Sequence, residues 1–278
     1  MVRNEQSPSS IAFVGGGNMA RAIIGGLLNN GYEANRVAVA DPSIEAREAL
    51  QALGLSQVAS EATDIVGDAS LIVLAVKPQV MSSVVAGFTN RLTAGQTVMS
   101  IAAGLSVASL ASMLGNPHVG IIRCMPNTPA LVSCGASGLF AAPNVNAEQR
   151  QYAQNTMAAV GTTLWVDSEA QLDAVTAVSG SGPAYFFAFM EAMAQHGERL
   201  GLDYACAYQL TLQTALGAAR MAAEQGTPID VLRRNVTSPG GTTEQALLAF
   251  QRGKLDDLVG TAMDACVARA QTMSEEFN

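Results

Sequence analysis

Up to Asp167 the chain alternates short apolar runs with longer stretches whose apolar residues recur every three or four positions. The runs "IAFVG", "RVAVAD", "LIVLAV", "TVMSIA", "VGIIRCM", "ASGLFAAP" and "TTLWVD" read as strands. "LIVLAV" is apolar at every position, the pattern of a strand covered on both faces of a parallel sheet. Between the runs, the spacing predicts helices over Asn18 to Asn30, Ile44 to Leu53, "QVMSSVVAGFTNRL", "SVASLASML" and Ala147 to Val160. Strands alternating with helices of this length predict a doubly wound α/β domain of the Rossmann type over residues 1–167.

From Ser168 the strand pattern stops, and Ala, Leu, Met and Gln at helical spacing continue to the C-terminus. Breaks fall at "GSGP", "GLD", "GTP", "SPGG" and "RGK", which predicts an all-helical second domain over residues 168–278. Its segment "PAYFFAFMEAMAQHGERLG" is apolar on nearly every side in its first half, so more than one face must be covered. A homodimer with intertwined helices meets that demand. So does a central position in a monomeric bundle.

Composition narrows the classes. With 49% hydrophobic and 14% charged residues the chain reads as a well-buried globular protein. A net charge of −8 argues against nucleic acid as the main partner. The four cysteines are scattered without a C-x-x-C pair and read as reduced thiols, and two distant histidines make a metal site unexpected. Met1 to Ser10 is polar and lacks the apolar stretch of a secretory leader, and "AYFFAFMEAMA" falls short of the ~20 residues of a membrane span. The expectation is a cytoplasmic protein with no membrane contact.

Candidate chemistry gathers at two glycine turns. "VGGGNMA" fits G-x-G-x-x-G/A with Gly15, Gly17 and Ala20. In a chain with 26 glycines that match means little alone. Here it follows an expected strand, opens a helix, and precedes Asp41 at the end of the second strand, which is the setting of a dinucleotide fingerprint. Asp41 suits a ribose 2′-OH, whereas Ser43 and Arg47 could serve a 2′-phosphate if Asp41 turns away. Lys77 and Pro78 end the "LIVLAV" strand, where open α/β sheets bind ligands; a solvated loop lysine is the plainer reading. Pro126 and Pro129 stiffen a loop carrying Asn127 and Thr128, either to position a nicotinamide ring or simply to connect.

In "SGSGPAYFF", Ser181 and Gly182 precede a proline suited to a helix's first turn. The turn "TSPGGTTEQALLAF" sends Gly240 and Gly241 into a helix beginning near Thr242, with the hydroxyls of Thr242 and Thr243 beside exposed backbone N–H groups. With no lysine or arginine inside it, the turn suits a small carboxylate better than a polyphosphate.

"AVKPQ", "MPNTP", "SGSGPAY" and "DVLRRNVTSPGGTTEQALLAF" occur in the order in which similar segments stand in pyrroline-5-carboxylate reductases, from Ile11 to about Met273. The resemblance implies a Rossmann domain followed by a helical dimerisation domain, homodimers that often build decamers, and reduction of Δ1-pyrroline-5-carboxylate to L-proline with NADPH or NADH. It implies that Val14, Gly15, Gly16, Gly17, Asn18 and Met19 line the pyrophosphate, and that Ala75, Val76, Lys77, Pro78, Ile101, Ala102 and Ala103 line the cofactor's inner half. The turn from Ser238 to Thr243 would hold the substrate carboxylate, with Thr243 near the imine nitrogen. Where many members carry an asparagine before the "AVKP" strand, this chain has Ser60 and Glu61, and with Asp41 this leaves the NADPH or NADH preference open. A β-hydroxyacid dehydrogenase is the nearest enzyme alternative, but Lys254 is the only lysine after Lys77 and a poor candidate for buried catalysis. A non-catalytic dinucleotide-binding regulator would have no use for the second turn.

Overall fold

The computed structural model describes residues 10–224 and 226–277. The N-terminal stretch read above for a leader lies, up to Ser9, outside the described residues. Eight strands follow one another in the chain: β1 (Ile11–Val14), β2 (Val37–Ala40), β3 (Gln57–Ala59), β4 (Leu71–Leu74), β5 (Thr97–Ser100), β6 (Gly120–Met125), β7 (Gly135–Ala141) and β8 (Gly161–Trp165). They form one sheet in the order β3-β2-β1-β4-β5-β6-β7-β8, with every pairing parallel except β6 with β7. The order reverses at β1, the switch point at which doubly wound sheets open a crevice.

The inner strands β1, β2, β4 and β5 are buried at every position, as the unbroken apolar runs of β1, β2 and β4 require, while β5 buries Thr97 and Ser100 at its two ends. Helices α1 (Asn18–Asn29), α2 (Ile44–Gln51), α3 (Pro78–Ala86), α4 (Val107–Leu114) and α5 (Ala147–Ala158) cover the sheet. Local chemistry sets several of their ends. Ser43 and Ser106 accept from the backbone N–H three residues on, capping α2 and α4. Asn146 and Gln149 form a capping box on α5. Phe13, Ile23, Ile24, Leu71, Ile72, Met81 and Met99 are fully buried in the core these elements enclose.

β7 runs antiparallel to β6 for a covalent reason. The link between them holds only a 3₁₀ segment, Thr128–Val132, whereas a parallel return needs a crossover of a dozen residues or more. The short edge strand β3, with its polar first residue, is an element that the apolar pattern does not predict.

After β8 come α6 (Gln171–Val175), a π-helical turn (Thr176–Gly180), α7 (Gly182–Arg199), α8 (Tyr204–Glu224), α9 (Ile229–Asn235), α10 (Thr242–Arg252) and α11 (Leu255–Phe277). Contacts divide the chain into two units, one running through Ser181 and including Cys266 onward, the other Gly182–Ala265. The strands end near residue 167, but α6 stays with the sheet because Val175 packs against Gly138 of β7, where a Cβ would lie 2.7 Å from its side chain. In the second unit α7 and α8 pack along one another, and Phe189 meets Phe250 with ring centroids 6.0 Å apart. Phe186 and Phe187 on α7 are 69% and 63% exposed in the single chain, so the helix is not the covered centre of a monomeric bundle.

Candidate active site

The first glycine turn has the form that a dinucleotide requires. Gly15 has φ +102°, and a Cβ there would stand 2.7 Å from the carbonyl oxygen of Ala75, so only glycine is accommodated without strain. Hydrogen bonds from Gly15 N to Ala40 O and from Ala75 N to Val14 O, both 2.8 Å, continue the ladder past the strand ends and hold the turn at the crevice. The face of Gly17 is open, with nothing within 4 Å of a Cβ placed there, and α1 starts without a side-chain cap. An open backbone face in front of uncapped N–H groups fits a pyrophosphate. Asn18 is exposed and accepts from Arg21 at 2.7 Å, while Met19 is half-buried against the core.

At the end of β2, Asp41 is turned inward. Its Oδ2 accepts from Gly16 N at 2.7 Å and its Oδ1 from Ser43 N at 2.9 Å. The Ser43 hydroxyl caps α2 and donates to Glu45 at 2.6 Å, which helps to hold the Glu45 carboxyl below its ordinary value. Arg47 donates from Nη1 to the carbonyls of Asp41 and Pro42, at 2.8 and 2.9 Å. A cavity of about 270 Å³ opens beside this corner, lined in part by Gly15, Pro42, Ser60, Glu61, Thr63 and Val76. The two residues at which this chain departs from the resemblance therefore face the same space as the first glycine turn.

Further along the sheet, Lys77 is exposed immediately before α3, where Pro78 opens the first turn. Ala102 and Ala103 line a second cavity of about 230 Å³ at the ends of β5 and β6, together with Ser181, and Ile101 N is held by Leu74 O at 3.1 Å. The Asn127 amide is engaged by the protein at both ends. Its Oδ1 accepts from Ala136 N at 2.8 Å and its Nδ2 donates to Ser179 O at 2.9 Å, so it braces the proline loop against β7 and the π-helical turn. The Ser181 Oγ lies 3.2 Å from the Cys266 Sγ, and Gly182 is buried at the start of α7.

The second glycine turn lies in the second unit, and its donors differ from the expectation. Gly240, at φ +73°, donates its N–H to the Glu244 carboxylate at 2.8 Å, and Gly241 N–H donates to Ser238 O at 2.9 Å. The two glycine N–H groups are thus engaged within the turn, because they close it. What remains for a carboxylate is the start of α10, which has Gly241 as N-cap and no side-chain cap: the N–H groups and hydroxyls of Thr242 and Thr243.

The motif reading missed a charged cluster in the first unit. Glu169 Oε1 accepts from Arg123 Nη1 at 2.8 Å and from Val107 N at 2.6 Å, tying the end of β6 to the start of α4. Asp173 lies nearby; burial raises its carboxyl, opposed by Arg123 and reinforced by Glu169. The signal was in the sequence as the single charge of the apolar run "VGIIRCM". Among the described residues no group of three or more His, Cys, Asp or Glu is placed to hold a metal ion, and no helix is long and apolar enough to cross a membrane.

Residues 10–104 match the family model described as NADP oxidoreductase coenzyme F420-dependent, and residues 169–273 match pyrroline-5-carboxylate reductase dimerisation. A pyrroline-5-carboxylate reductase of Pseudomonas aeruginosa is 47% identical over 98% of this chain and 99% of its own length. A Coxiella burnetii pyrroline-5-carboxylate reductase structure superposes with a TM-score of 0.92 at 42% identity, over 96% of this chain and 98% of that one. A Plasmodium falciparum pyrroline carboxylate reductase with NADP bound gives 0.83 at 28% identity, over 96% and 98%. Fold, turns and relatives together define an NAD(P)H-dependent oxidoreductase with a Rossmann-type unit and a helical dimerisation region. The chain belongs to the pyrroline-5-carboxylate reductase family.

Proposed function

We propose that this protein reduces the cyclic imine Δ1-pyrroline-5-carboxylate to L-proline, the last step of proline synthesis, with NADPH or NADH as reductant. The observation that carries the reading is a pair of uncapped helix starts, α1 behind Gly17 and α10 behind Gly241, one in each unit. The first suits a pyrophosphate and the second a small carboxylate. A regulator that only binds a dinucleotide has no use for the second.

The bound cofactor supplies a hydride to the imine carbon. The Gly15–Gly17 turn would bring its pyrophosphate to the open face of Gly17 and the uncapped N–H groups at the start of α1, with Val14, Asn18 and Met19 around them. Ala75, Val76, Lys77, Pro78, Ile101, Ala102 and Ala103 line its inner half. The Ser238–Thr243 turn carries the carboxylate on Thr242 and Thr243, and Ser181 and Gly182 border the substrate. The Thr243 hydroxyl orients the imine nitrogen, which arrives protonated and so makes its neighbouring carbon electrophilic. Threonine is a weak acid, so the chain contributes chiefly orientation and proximity. Lys254, which a β-hydroxyacid dehydrogenase reading would need as a buried proton carrier, is exposed at the head of α11 with Asp257 at 3.9 Å.

The apolar side chains left exposed on α7 support a homodimer through the helical domain, with decamers and a cytoplasmic setting as the wider expectation. The functional test mixes purified protein with Δ1-pyrroline-5-carboxylate and NADPH or NADH and follows loss of the reduced nicotinamide. Loss dependent on the imine is expected. Dinucleotide binding without turnover would overturn the reading.

A further inference from the structure

The cavity of about 230 Å³ at the C-terminal ends of β5 and β6 carries an unusual charge balance. Its wall includes Ala102 and Ala103, assigned above to the cofactor's inner half, so its charges act on the reacting end of that molecule. This inference rests on the reductase reading. Three charged residues line the wall: Arg123 from β6, Asp173 from α6 and Arg269 from α11. Both cations are neutralised by other carboxylates. Arg123 pairs with Glu169 at 2.8 Å, and Arg269 pairs with Glu276 at 2.8 and 3.2 Å. The Asp173 carboxyl makes no hydrogen bond or ion pair among the described residues. Cys124, also in the wall, adds no charge, because burial pushes its thiol up to about 12. Cys266, Thr176 and Ser181 complete the polar lining. The net charge facing the cavity is one negative, held by Asp173.

We infer that Asp173 favours the oxidised, positively charged nicotinamide over the reduced, neutral one, and thereby assists hydride donation. In that step a hydride, one proton with two electrons, leaves the ring for the imine carbon. The carbon is reduced, the protonated nitrogen becomes the amine, and the ring is oxidised and gains one positive charge. Asp173 forms no bond and transfers no proton. Its contribution is the attraction of a fixed negative charge for a charge that appears only as the hydride departs. At a separation of several ångströms in a partly screened site, such an attraction corresponds to a preference on the order of 3–10-fold.

The same carboxyl gives the inference a pH signature. Burial raises it, with Arg123 opposing and Glu169 reinforcing, so it takes up a proton above the ordinary carboxylate range. Below that point the charge, and with it the preference, is lost.

The test measures dissociation constants of NADP⁺ and NADPH directly, by calorimetry, for the wild type, Asp173→Asn and Asp173→Glu between about pH 4 and 8. The 2′-phosphate is common to both ligands, so its own titration cancels in the ratio. The ratio of the NADP⁺ constant to the NADPH constant should rise about 3–10-fold in Asp173→Asn and stay near wild type in Asp173→Glu. In the wild type it should rise as pH falls, and in Asp173→Asn it should be flat. An unchanged ratio in a folded Asp173→Asn, or a flat wild-type series, overturns the inference. The wild-type series decides alone if the asparagine variant does not fold. Failure of the wild type to oxidise NADPH with the imine would instead overturn the reductase reading itself.

Discussion

The carboxylate of Asp41 accepts a hydrogen bond from the backbone N–H of Gly16 at 2.7 Å. The acidic residue at the end of β2 is thereby part of the glycine turn's frame, with Ser43 N on its other oxygen at 2.9 Å. Arg47 is held over the same corner by the carbonyls of Asp41 and Pro42. One guanidinium edge is fixed while the other nitrogens stay available, and no carboxylate pairs with it within 4.0 Å among the described residues. An inward aspartate beside a fixed cation is the arrangement that tolerates a 2′-phosphate.

It follows that Arg47→Ala should weaken NADPH binding roughly tenfold or more while changing NADH binding little, since a charge-assisted contact is worth about 1.5–3 kcal/mol. Titration of each dinucleotide into wild type and variant checks this. Equal weakening of both would mean that Arg47 only stiffens the corner.

Much of this architecture is legible in the sequence, because burial leaves a direct trace in side-chain pattern. "IAFV" and "LIVL" became fully buried strands, and the turn at Gly15 to Gly17 took the form that its residues demand. Other features depend on contacts that periodicity does not record. The edge strand β3 is short and half-polar, so nothing in "QVA" separates it from a loop. Asn127, attractive as a ligand contact on its loop, is bound at both ends by Ala136 and Ser179, the latter 52 residues away. Gly240 and Gly241 close their own turn, which moves the free donors on to Thr242 and Thr243. The link from Arg123 to Glu169 spans 46 residues and has no local motif. The reversal of β7 was available, however: no helix-length pattern separates "VGIIRCM" from "ASGLFAAP", and without a crossover a strand returns antiparallel.

The cysteines should differ sharply in reactivity. Cys124 is buried and its thiol is pushed up to about 12, mainly by desolvation, whereas Cys134 is exposed. Only the thiolate attacks an alkylating agent, and at pH 8 a thiol titrating near 12 is ionised about once in 10⁴ molecules. Iodoacetamide at that pH should label Cys134 and leave Cys124 unmodified until the protein unfolds, as read by peptide mass spectrometry. Equal labelling of both in the folded protein would contradict the burial of β6.

The exposed aromatic face of α7 should be an interface. Phe186 and Phe187 are each more than 60% exposed in the single chain, which is costly for a soluble helix unless another surface covers them. Phe187→Glu should shift the protein toward monomer in sedimentation, whereas Leu164→Glu, on the exposed edge strand β8, should not. Unaltered assembly in Phe187→Glu would place the interface elsewhere on the helical domain.

Thr243 offers the sharpest test of the second turn. Its hydroxyl has no partner among the described residues, and it stands in the first turn of α10 beside N–H groups that no side chain caps. Valine matches its shape and removes only the hydroxyl. If that hydroxyl orients the imine nitrogen, Thr243→Val should lower kcat/KM for the imine by roughly 10–100-fold, the range expected for one lost hydrogen bond to a charged group. Thr243→Ser should recover most of the loss, since serine keeps the oxygen. NADPH binding should be unchanged in both variants, because the dinucleotide fingerprint is built on β1 and α1, far along the chain in the other unit. Parallel loss of NADPH binding would show that the valine had disturbed more than the carboxylate turn. Full activity in Thr243→Val would show that the Thr243 hydroxyl does not orient the nitrogen.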